Sequence, residues 1–157
     1  MNWAEWDEVL AVNLTGAFLC AKAVLPDMMA RRVGRIINIA SVISKIAYSL
    51  RSPYAVSKWG LSGLTRTLVQ KTGVYNIPVN AVCPGPVSGE RIQNTIQKRA
   101  TGLARSVAEV EQMYTEATAL KRVVEADEVA AMVAFLASNE ANSITGATID
   151  VTAGYSL

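Results

Sequence analysis

The chain has 157 residues, 51% of them hydrophobic, and its 15 basic and 13 acidic side chains give a formal net charge of +2. This length suits one domain with a hydrophobic core rather than two, and so small a charge gives no argument for nucleic-acid binding. The absence of histidine excludes Ser-His-Asp and Cys-His catalysis and removes the commonest metal ligand, so we expect no metal site.

The cysteine pattern and the N-terminus bear on the cellular compartment. Cys20 and Cys83 are isolated within apolar segments, so buried free thiols are expected rather than a disulfide. The N-terminus lacks the basic and apolar regions of a signal peptide, and no apolar run is judged long enough to cross a membrane. These features predict a cytoplasmic protein without membrane contact.

Helical spacing of apolar residues predicts that residues 3–31 are mostly helix, with a kink or loosened turn near Gly16 or Pro26. The next segment, 34–41, is an apolar run with several β-branched residues, typical of a strand that is covered on both faces of a parallel sheet. Its last residue is Ser41. A hydroxyl is therefore expected at the carboxyl end of a buried strand.

A second helix is predicted over 53–72, with Ser52 as its cap and an end near Gly73. Tyr54 and Lys58 lie one turn apart on the same face of this helix. A phenol with a pKa near 10 is a poor acid or base at neutral pH, and a neighbouring ammonium lowers that pKa enough for proton transfer. The spacing alone is weak evidence, because it also arises by chance.

The remaining chain predicts an alternation of strands and helices. A polar segment over 88–120, with a capping-box start at Ser106 and Glu109, is interpreted as a mobile lid with short helices that covers the substrate. The other elements are a buried strand over 77–83, a helix over 126–137 and a short strand over 147–151. This order is typical of an α/β fold with a parallel sheet.

Several segments together resemble the C-terminal part of a short-chain dehydrogenase/reductase, of the kind that includes the 3-oxoacyl-carrier-protein reductases. They agree with that family in order and spacing over nearly the whole chain: 12–18, 34–41, 54–58, 79–85, 135–138 and 144–146. The resemblance implies a truncated Rossmann-like parallel sheet that lacks the N-terminal dinucleotide-binding half. It also implies NAD(P)-dependent interconversion of a ketone and a secondary alcohol.

The resemblance implies four catalytic residues. Tyr54 would be the general acid or base, and Lys58 would lower its pKa and hold the nicotinamide ribose. Ser41 would orient the carbonyl oxygen of the substrate. The matching asparagine of the family distorts its helix and frees a backbone carbonyl for a relay water, a role that falls to Asn13.

The resemblance also implies a cofactor contact beyond the strand 77–83. Pro84 and Gly85 would pack on the nicotinamide, and Val87 would offer backbone groups to its carboxamide. Relatives usually carry a threonine four residues after that glycine, where this chain has Gly89. Ser88 is the candidate substitute.

The glycine-rich turn of a dinucleotide-binding fold is not found in this sequence. The choice between NAD and NADP therefore stays open, and we expect the isolated chain to be inactive and its first strand to form an exposed sheet edge. Self-association, domain swapping or a partner chain is expected to cover this edge, and the resemblance implies a homo-oligomer in which the helices 3–31 and 53–72 pair with those of a second subunit. The alternative hypothesis is a non-catalytic module, derived from such an enzyme, that acts by binding.

The family's substrate-pocket segment corresponds to residues 42–51 of this chain. Ser44, Lys45 and Tyr48 are the candidate substrate contacts in it, although polar loop residues more often contact only water. No residue of the predicted lid indicates which carbonyl or alcohol compound is the substrate.

Overall fold

The computed structural model describes residues 2–48 and 51–155. In these ranges a parallel sheet of three strands has the order β1 (Ile36–Ile39), β2 (Val79–Pro84) and β3 (Thr148–Val151). The α-helices of the same ranges are α1 (Trp3–Leu10), α2 (Gly16–Arg31), α3 (Ser52–Thr72), α4 (Glu90–Leu103), α5 (Val107–Glu116) and α6 (Ala126–Ala137). The predicted α/β class with a parallel sheet is confirmed.

The middle strand, β2, is paired on both sides. Its register places Val79 opposite Ile36 of β1 and Ala81 opposite Thr148 of β3. All three strands have bounds that differ by a few residues from the predicted 34–41, 77–83 and 147–151. β1 and β3 form the edges of the described sheet, and Ile39 at the end of β1 is 45% exposed.

The N-terminal helical segment is interrupted by a π-helical turn. α1 continues through Ala11–Thr15 as a π-helix and then into α2, and the Gly16 N–H donates to the carbonyl of Ala11, five residues back. Such a turn holds one residue more than an α-turn and marks a local distortion. The distortion contains Asn13 and directly precedes Gly16, one of the two positions where a loosened turn was predicted.

Much of the apolar surface of this segment is not covered. The helix from Trp3 to Arg31 is long and apolar enough to span a membrane by length and composition, and 11% of its most apolar 18-residue window is buried. The expectation that no apolar run reaches such a length was therefore wrong. Core helices and signal sequences pass the same test. Cys20 is exposed on α2, which corrects its predicted burial, whereas Cys83 on β2 is a buried free thiol.

α3 packs closely against the N-terminal helical segment. A Cβ built on Gly60 would lie 2.7 Å from the Leu14 side chain, so the glycine permits this approach. Ser52 is the first helical residue rather than the cap: Arg51 occupies the N-cap position without a capping hydrogen bond from its side chain. Gly73 is the C-cap, and the left-handed residue comes later, at Asn76.

Helices cover both faces of the sheet. Alternate residues of β2 point to opposite sides, as in any strand. Ala81 and Cys83 pack in a cluster with Leu61 of α3, whereas Val82 packs in a cluster with Leu136 of α6. The end of β2 is therefore held between two helical layers.

A separate apolar cluster joins α4 and α5. We call the segment that contains these two helices, Glu90–Glu116, the helical cap. Its buried members are Ile96, Ala100, Val110 and Tyr114. The predicted capping box is present, since Ser106 Oγ accepts from the Glu109 N–H at 3.2 Å and Glu109 Oε2 accepts from the Ser106 N–H at 2.8 Å. The polar segment thus contains two well-formed helices.

Candidate active site

Ser41 lies directly beyond the carboxyl end of β1. It is 7% exposed, and its Oγ accepts a hydrogen bond from the Ile43 N–H at 3.2 Å, which caps a short 3₁₀ turn (Val42–Ser44). The Ser44 hydroxyl donates to the Ser41 carbonyl at 2.6 Å. These contacts fix the backbone on which the Ser41 hydroxyl is carried.

Tyr54 and Lys58 lie in the first two turns of α3. The Lys58 Nζ is 5.7 Å from the centroid of the Tyr54 ring and donates to the Ile39 carbonyl at 2.7 Å. This bond ties the start of α3 to the end of β1. Burial lowers the pKa of Lys58, and the nearby charge of Arg91 lowers it further.

Ser41, Tyr54 and Lys58 line one cleft of about 410 Å³. The end of β2 and the turn after it, Pro84–Gly85–Pro86–Val87, line the same cleft. Ligands of open parallel sheets bind beyond the carboxyl ends of the strands, which is where this cleft lies. The structure therefore brings the predicted catalytic and nicotinamide-contacting residues to one site, apart from Asn13.

The turn after β2 is held by a parallel bridge between Val87 and Val124. The Ser88 N–H donates to the Val124 carbonyl at 2.8 Å, and the Val124 N–H donates to the Pro86 carbonyl at 2.8 Å. Within the described residues this bridge does not use the N–H or the C=O of Val87. Val87 itself lines the cleft.

Asn13 lies outside the lining of the cleft but is connected to it. Its side-chain amide donates to Ser57 Oγ at 3.1 Å, and the Ser57 hydroxyl donates to the Tyr54 carbonyl at 2.7 Å. Its position in the π-helical turn agrees with a helix distorted at this asparagine. A role in a proton relay stays a prediction.

Gly89, where relatives usually carry threonine, has a φ of +127°. A side chain is strained in this conformation even though nothing lies within 4 Å of a Cβ built there. Backbone geometry therefore accounts for the glycine. Ser88 lines the cleft, and its hydroxyl is hydrogen-bonded to Glu125.

The three candidates of the loop after β1 differ. Tyr48 lines the cleft, whereas Ser44 and Lys45 are not among its lining residues. Ser44 is buried with its hydroxyl 3.5 Å from Cys83 Sγ, and Lys45 forms an ion pair with Asp150 at 2.7 Å. Both side chains are used within the protein.

Tyr48 belongs to a hydrogen-bonded group between the loop and the helical cap. Its hydroxyl is 3.4 Å from the Tyr114 hydroxyl, and Arg99 Nη1 donates to both, at 3.1 Å to Tyr48 and 3.3 Å to Tyr114. Burial, together with the hydrogen bond to Tyr114, raises the pKa of Tyr48 to about 12. This phenol is therefore neutral at physiological pH.

Two arginines beside Tyr54 were missed from the sequence. The Arg51 Cζ lies 5.9 Å from the centroid of the Tyr54 ring, and the Arg91 Cζ lies 5.5 Å from it. Arg51 precedes Tyr54 by three residues, a spacing that suggests proximity on a helix. Arg91 comes from α4 across the cleft, and no sequence pattern indicated that it would approach.

This arrangement suits proton transfer to an oxygen. The Tyr54 phenol lies beside three cationic side chains, those of Arg51, Lys58 and Arg91. A buried hydroxyl at a strand end, Ser41, lies in the same cleft. Among the described residues no group of three or more cysteine, aspartate and glutamate side chains could hold a metal ion.

Comparisons with known proteins cover almost the whole chain. A family model described as "Enoyl-(Acyl carrier protein) reductase" matches residues 1–156. A 3-oxoacyl-[acyl-carrier-protein] reductase of Staphylococcus epidermidis is 35% identical over 154 residues, which are 98% of this chain and 59% of that protein. This chain spans only 51–60% of the length of such curated relatives.

Two solved structures share the fold closely. Sorbitol-6-phosphate 2-dehydrogenase from Erwinia amylovora superposes with a TM-score of 0.94 at 32% identity, over 98% of this chain and 61% of that one. Actinorhodin polyketide ketoreductase, solved with NADPH, gives a TM-score of 0.93 at 34% identity, over 98% of this chain and 60% of that one. Both comparisons support the sheet and helix arrangement described above.

Proposed function

Because this chain belongs to the short-chain dehydrogenase/reductase family, we propose that it provides the reaction chemistry of an NAD(P)-dependent oxidoreductase. The reaction interconverts a ketone and a secondary alcohol. The observation that carries this proposal is the meeting of Ser41, Tyr54 and Lys58 in one cleft beyond the strand ends. The NADPH bound to a ketoreductase of the same fold supports a nicotinamide cofactor.

Tyr54 is the proton-transfer group of the proposed reaction. Its phenol gives a proton to the carbonyl oxygen during reduction and takes it back during oxidation. Lys58 favours the phenolate by its charge, and the Ser41 hydroxyl orients the carbonyl oxygen by a hydrogen bond. Asn13 holds a relay water through its backbone carbonyl, a role supported by the π-helical turn around it.

The cleft fits the nicotinamide end of the cofactor. An ammonium has three donors, of which Lys58 uses one on Ile39, so two remain for the ribose hydroxyls. Pro84 and Gly85 offer a surface for the ring, and the backbone of Val87 is free of its strand bridge for the carboxamide. The bound cofactor supplies the hydride.

The same sequence has no glycine-rich turn for the diphosphate. We therefore propose that these 157 residues do not turn over ketones without the preceding segment of the family. The test joins them to that segment, taken from the Staphylococcus epidermidis reductase. The fusion is expected to reduce small ketones with NADH or NADPH.

In this fusion Tyr54→Phe is expected to lower kcat by about 10²–10⁴-fold, the usual contribution of a general acid or base. Tyr75→Phe is the matched control, because this tyrosine also lies beside a cation, with the Arg32 Cζ 6.0 Å from its ring, but not in the cleft. A folded fusion that binds cofactor but reduces no ketone would contradict the proposal. It would favour the non-catalytic binding module.

The isolated chain is titrated with NADH and NADPH in parallel, followed by nicotinamide fluorescence. Absence of binding at millimolar concentration is expected for these residues alone. Saturable micromolar binding would instead show that the chain itself completes a cofactor site, and would overturn the proposed inactivity.

We further propose that the chain forms a homo-oligomer through residues 3–31 and 53–72. Large apolar side chains are exposed on these helices: Trp3, Val12, Phe18, Leu19, Val24, Val56 and Trp59. An uncovered apolar face of this kind is typical of a protein or membrane contact. We favour a second copy of the chain over a membrane. The exposed apolar side chains are shared between α3 and the N-terminal helical segment, and these two pack directly on each other.

Trp59→Glu tests the oligomer, because a carboxylate at the centre of an apolar interface remains unpaired when that interface is buried. Sedimentation is expected to show a multiple of the 16.8 kDa chain for the wild type and a monomer for the variant. Val74→Glu is the control, since this exposed valine lies beyond α3. Co-sedimentation with lipid vesicles of a monomeric wild type would contradict the proposal.

A further inference from the structure

The cleft contains more positive charge than the proton chemistry requires. The proposed proton transfer uses one cation beside the Tyr54 phenol, Lys58. Two guanidinium groups also approach the same ring from different elements, Arg51 from the start of α3 and Arg91 from α4. Arg51 is half-buried, and its Nη2 donates to Thr95 Oγ1 at 3.3 Å. The helical cap thus contributes to holding one of the two arginines in place.

These charges are not neutralised by the protein. The salt bridges in the described part of the chain join Arg31 to Asp27, Lys45 to Asp150 and Arg122 to Glu128, and none includes Arg51 or Arg91. Glu90 lines an adjoining groove with both arginines, but Lys98 lines it too. The net charge of the surroundings therefore stays positive.

The arginines share an electrostatic environment with Lys58. The charge of Arg91 contributes to the lowered pKa of that lysine, after its burial. Like charges gathered in a half-buried cleft repel one another, and an anion placed among them relieves this repulsion. An arginine is also the side chain best suited to grip a carboxylate or phosphate, because its planar fork donates two parallel hydrogen bonds.

We propose that the substrate is a carbonyl compound that carries a carboxylate or phosphate group, with Arg51 and Arg91 holding the anionic group while the carbonyl lies at Tyr54. The inference rests on the proposed function and names the substrate class of the same site. The apolar side chains of Ile92 and Val129 also line the cleft and suit the carbon chain between the two groups. The two arginines are specificity-determining residues in this proposal.

The test measures binding to the 157-residue chain by NMR titration, so it does not depend on turnover. The probes are matched pairs: levulinate with methyl levulinate, acetoacetate with methyl acetoacetate, and dihydroxyacetone phosphate with dihydroxyacetone. In at least one pair the charged member is expected to bind about tenfold to a hundredfold more tightly, the usual effect of hydrogen bonds to a charged group. Equal affinity within every pair would overturn the inference.

Arg51→Gln and Arg91→Gln are each expected to lower the preference for the charged member about tenfold and to leave the affinity for the neutral members unchanged. Arg105→Gln is the control: it removes the same charge from an exposed residue that does not line the cleft. Arg91→Lys keeps the charge without the planar fork and should retain part of the preference. Circular dichroism checks that each variant is folded.

ADP distinguishes the substrate from the cofactor as the source of the anion. If the two arginine variants weaken ADP binding but not the binding of the charged probes, the arginines serve a diphosphate and the inference is wrong. An inactive fusion whose isolated chain still prefers charged probes would refute only the proposed function. A fusion that reduces neutral ketones as well as charged ones would refute only the inference.

Discussion

The sheet with α3 and α6 differs from the helical cap in how each is held together. The sheet region buries β2 between two helical layers, with side chains such as Val82 and Leu136 almost fully excluded from solvent. The helical cap has its own small cluster around Ile96 and joins the rest through polar contacts, such as those of Tyr48 with Arg99 and Tyr114. Two regions with separate cores can differ in stability.

The two regions contribute residues with different proposed roles to the candidate site, namely proton transfer and substrate selection. The groups proposed for proton transfer come from the sheet region, where Lys58 donates to the Ile39 carbonyl of β1 and the Ser41 hydroxyl accepts from the Ile43 N–H. Arg91, proposed to select the substrate, comes from the helical cap. A region that opens at low cost can admit ligands without disturbing the geometry on which the chemistry depends.

Leu136→Ala should have the largest effect on stability, because its side chain lies in the core of the sheet region. Leu136 is 1% exposed between α6 and the sheet, so its truncation leaves a cavity in the sheet region. We expect the free energy of unfolding to fall by about 2–5 kcal/mol, measured by urea denaturation. Leu103→Ala, at an exposed position of α4, is the control, and a similar loss in both variants would contradict the expectation.

Ile96→Ala removes a side chain of equal burial from the helical cap. We expect faster amide hydrogen exchange across residues 90–116 with little change in β2 and α3, because the cap cluster is separate. The urea midpoint should shift less than it does for Leu136→Ala. Equally fast exchange in β2 would contradict this expectation, because it would show that the sheet region and the helical cap open as one cooperative unit.

Tyr48→Phe is expected to have the smallest effect, about 0.5–1.5 kcal/mol, from the lost hydrogen bonds to Tyr114 and Arg99. The wild type should also lose stability as the pH rises from 10 towards about 12. In that window the unfolded chain releases the Tyr48 proton, while the folded chain, with its raised pKa, keeps it. Thermal denaturation at pH 8 and 11 measures both effects, and an alkaline loss of the same size in the variant would contradict this origin.

Local patterns predicted the sheet region better than the helical cap. The helix predicted over 126–137 has those bounds in the structure, and the strand-end hydroxyl and the Tyr54–Lys58 pair lie where strand and helix signals placed them. Each of these features depends on a periodic pattern or on neighbours within one turn. Such signals are contained in the sequence itself.

The features that were missed depend on contacts between distant segments. Arg91 reaches Tyr54 only because α4 folds over the cleft, and the apolar pattern of α2 did not show that Cys20 would face outwards. Lys45 was one of three candidate substrate contacts, and in the structure it pairs with Asp150, which lies 105 residues further along the chain. Sequence position alone does not determine which of several partners a long side chain will choose.

The hydrogen bond between Lys58 and Ile39 limits how another chain can join the sheet. The N–H groups of Ile36 and Ala40 point to β2, so the alternation of a parallel strand turns the Ile39 carbonyl to the open edge. Lys58 already occupies that carbonyl. A strand added beside β1 would therefore have to share the Ile39 carbonyl with Lys58 or displace the lysine from it. The lysine thus couples pairing at this sheet edge to the cleft that its own side chain lines.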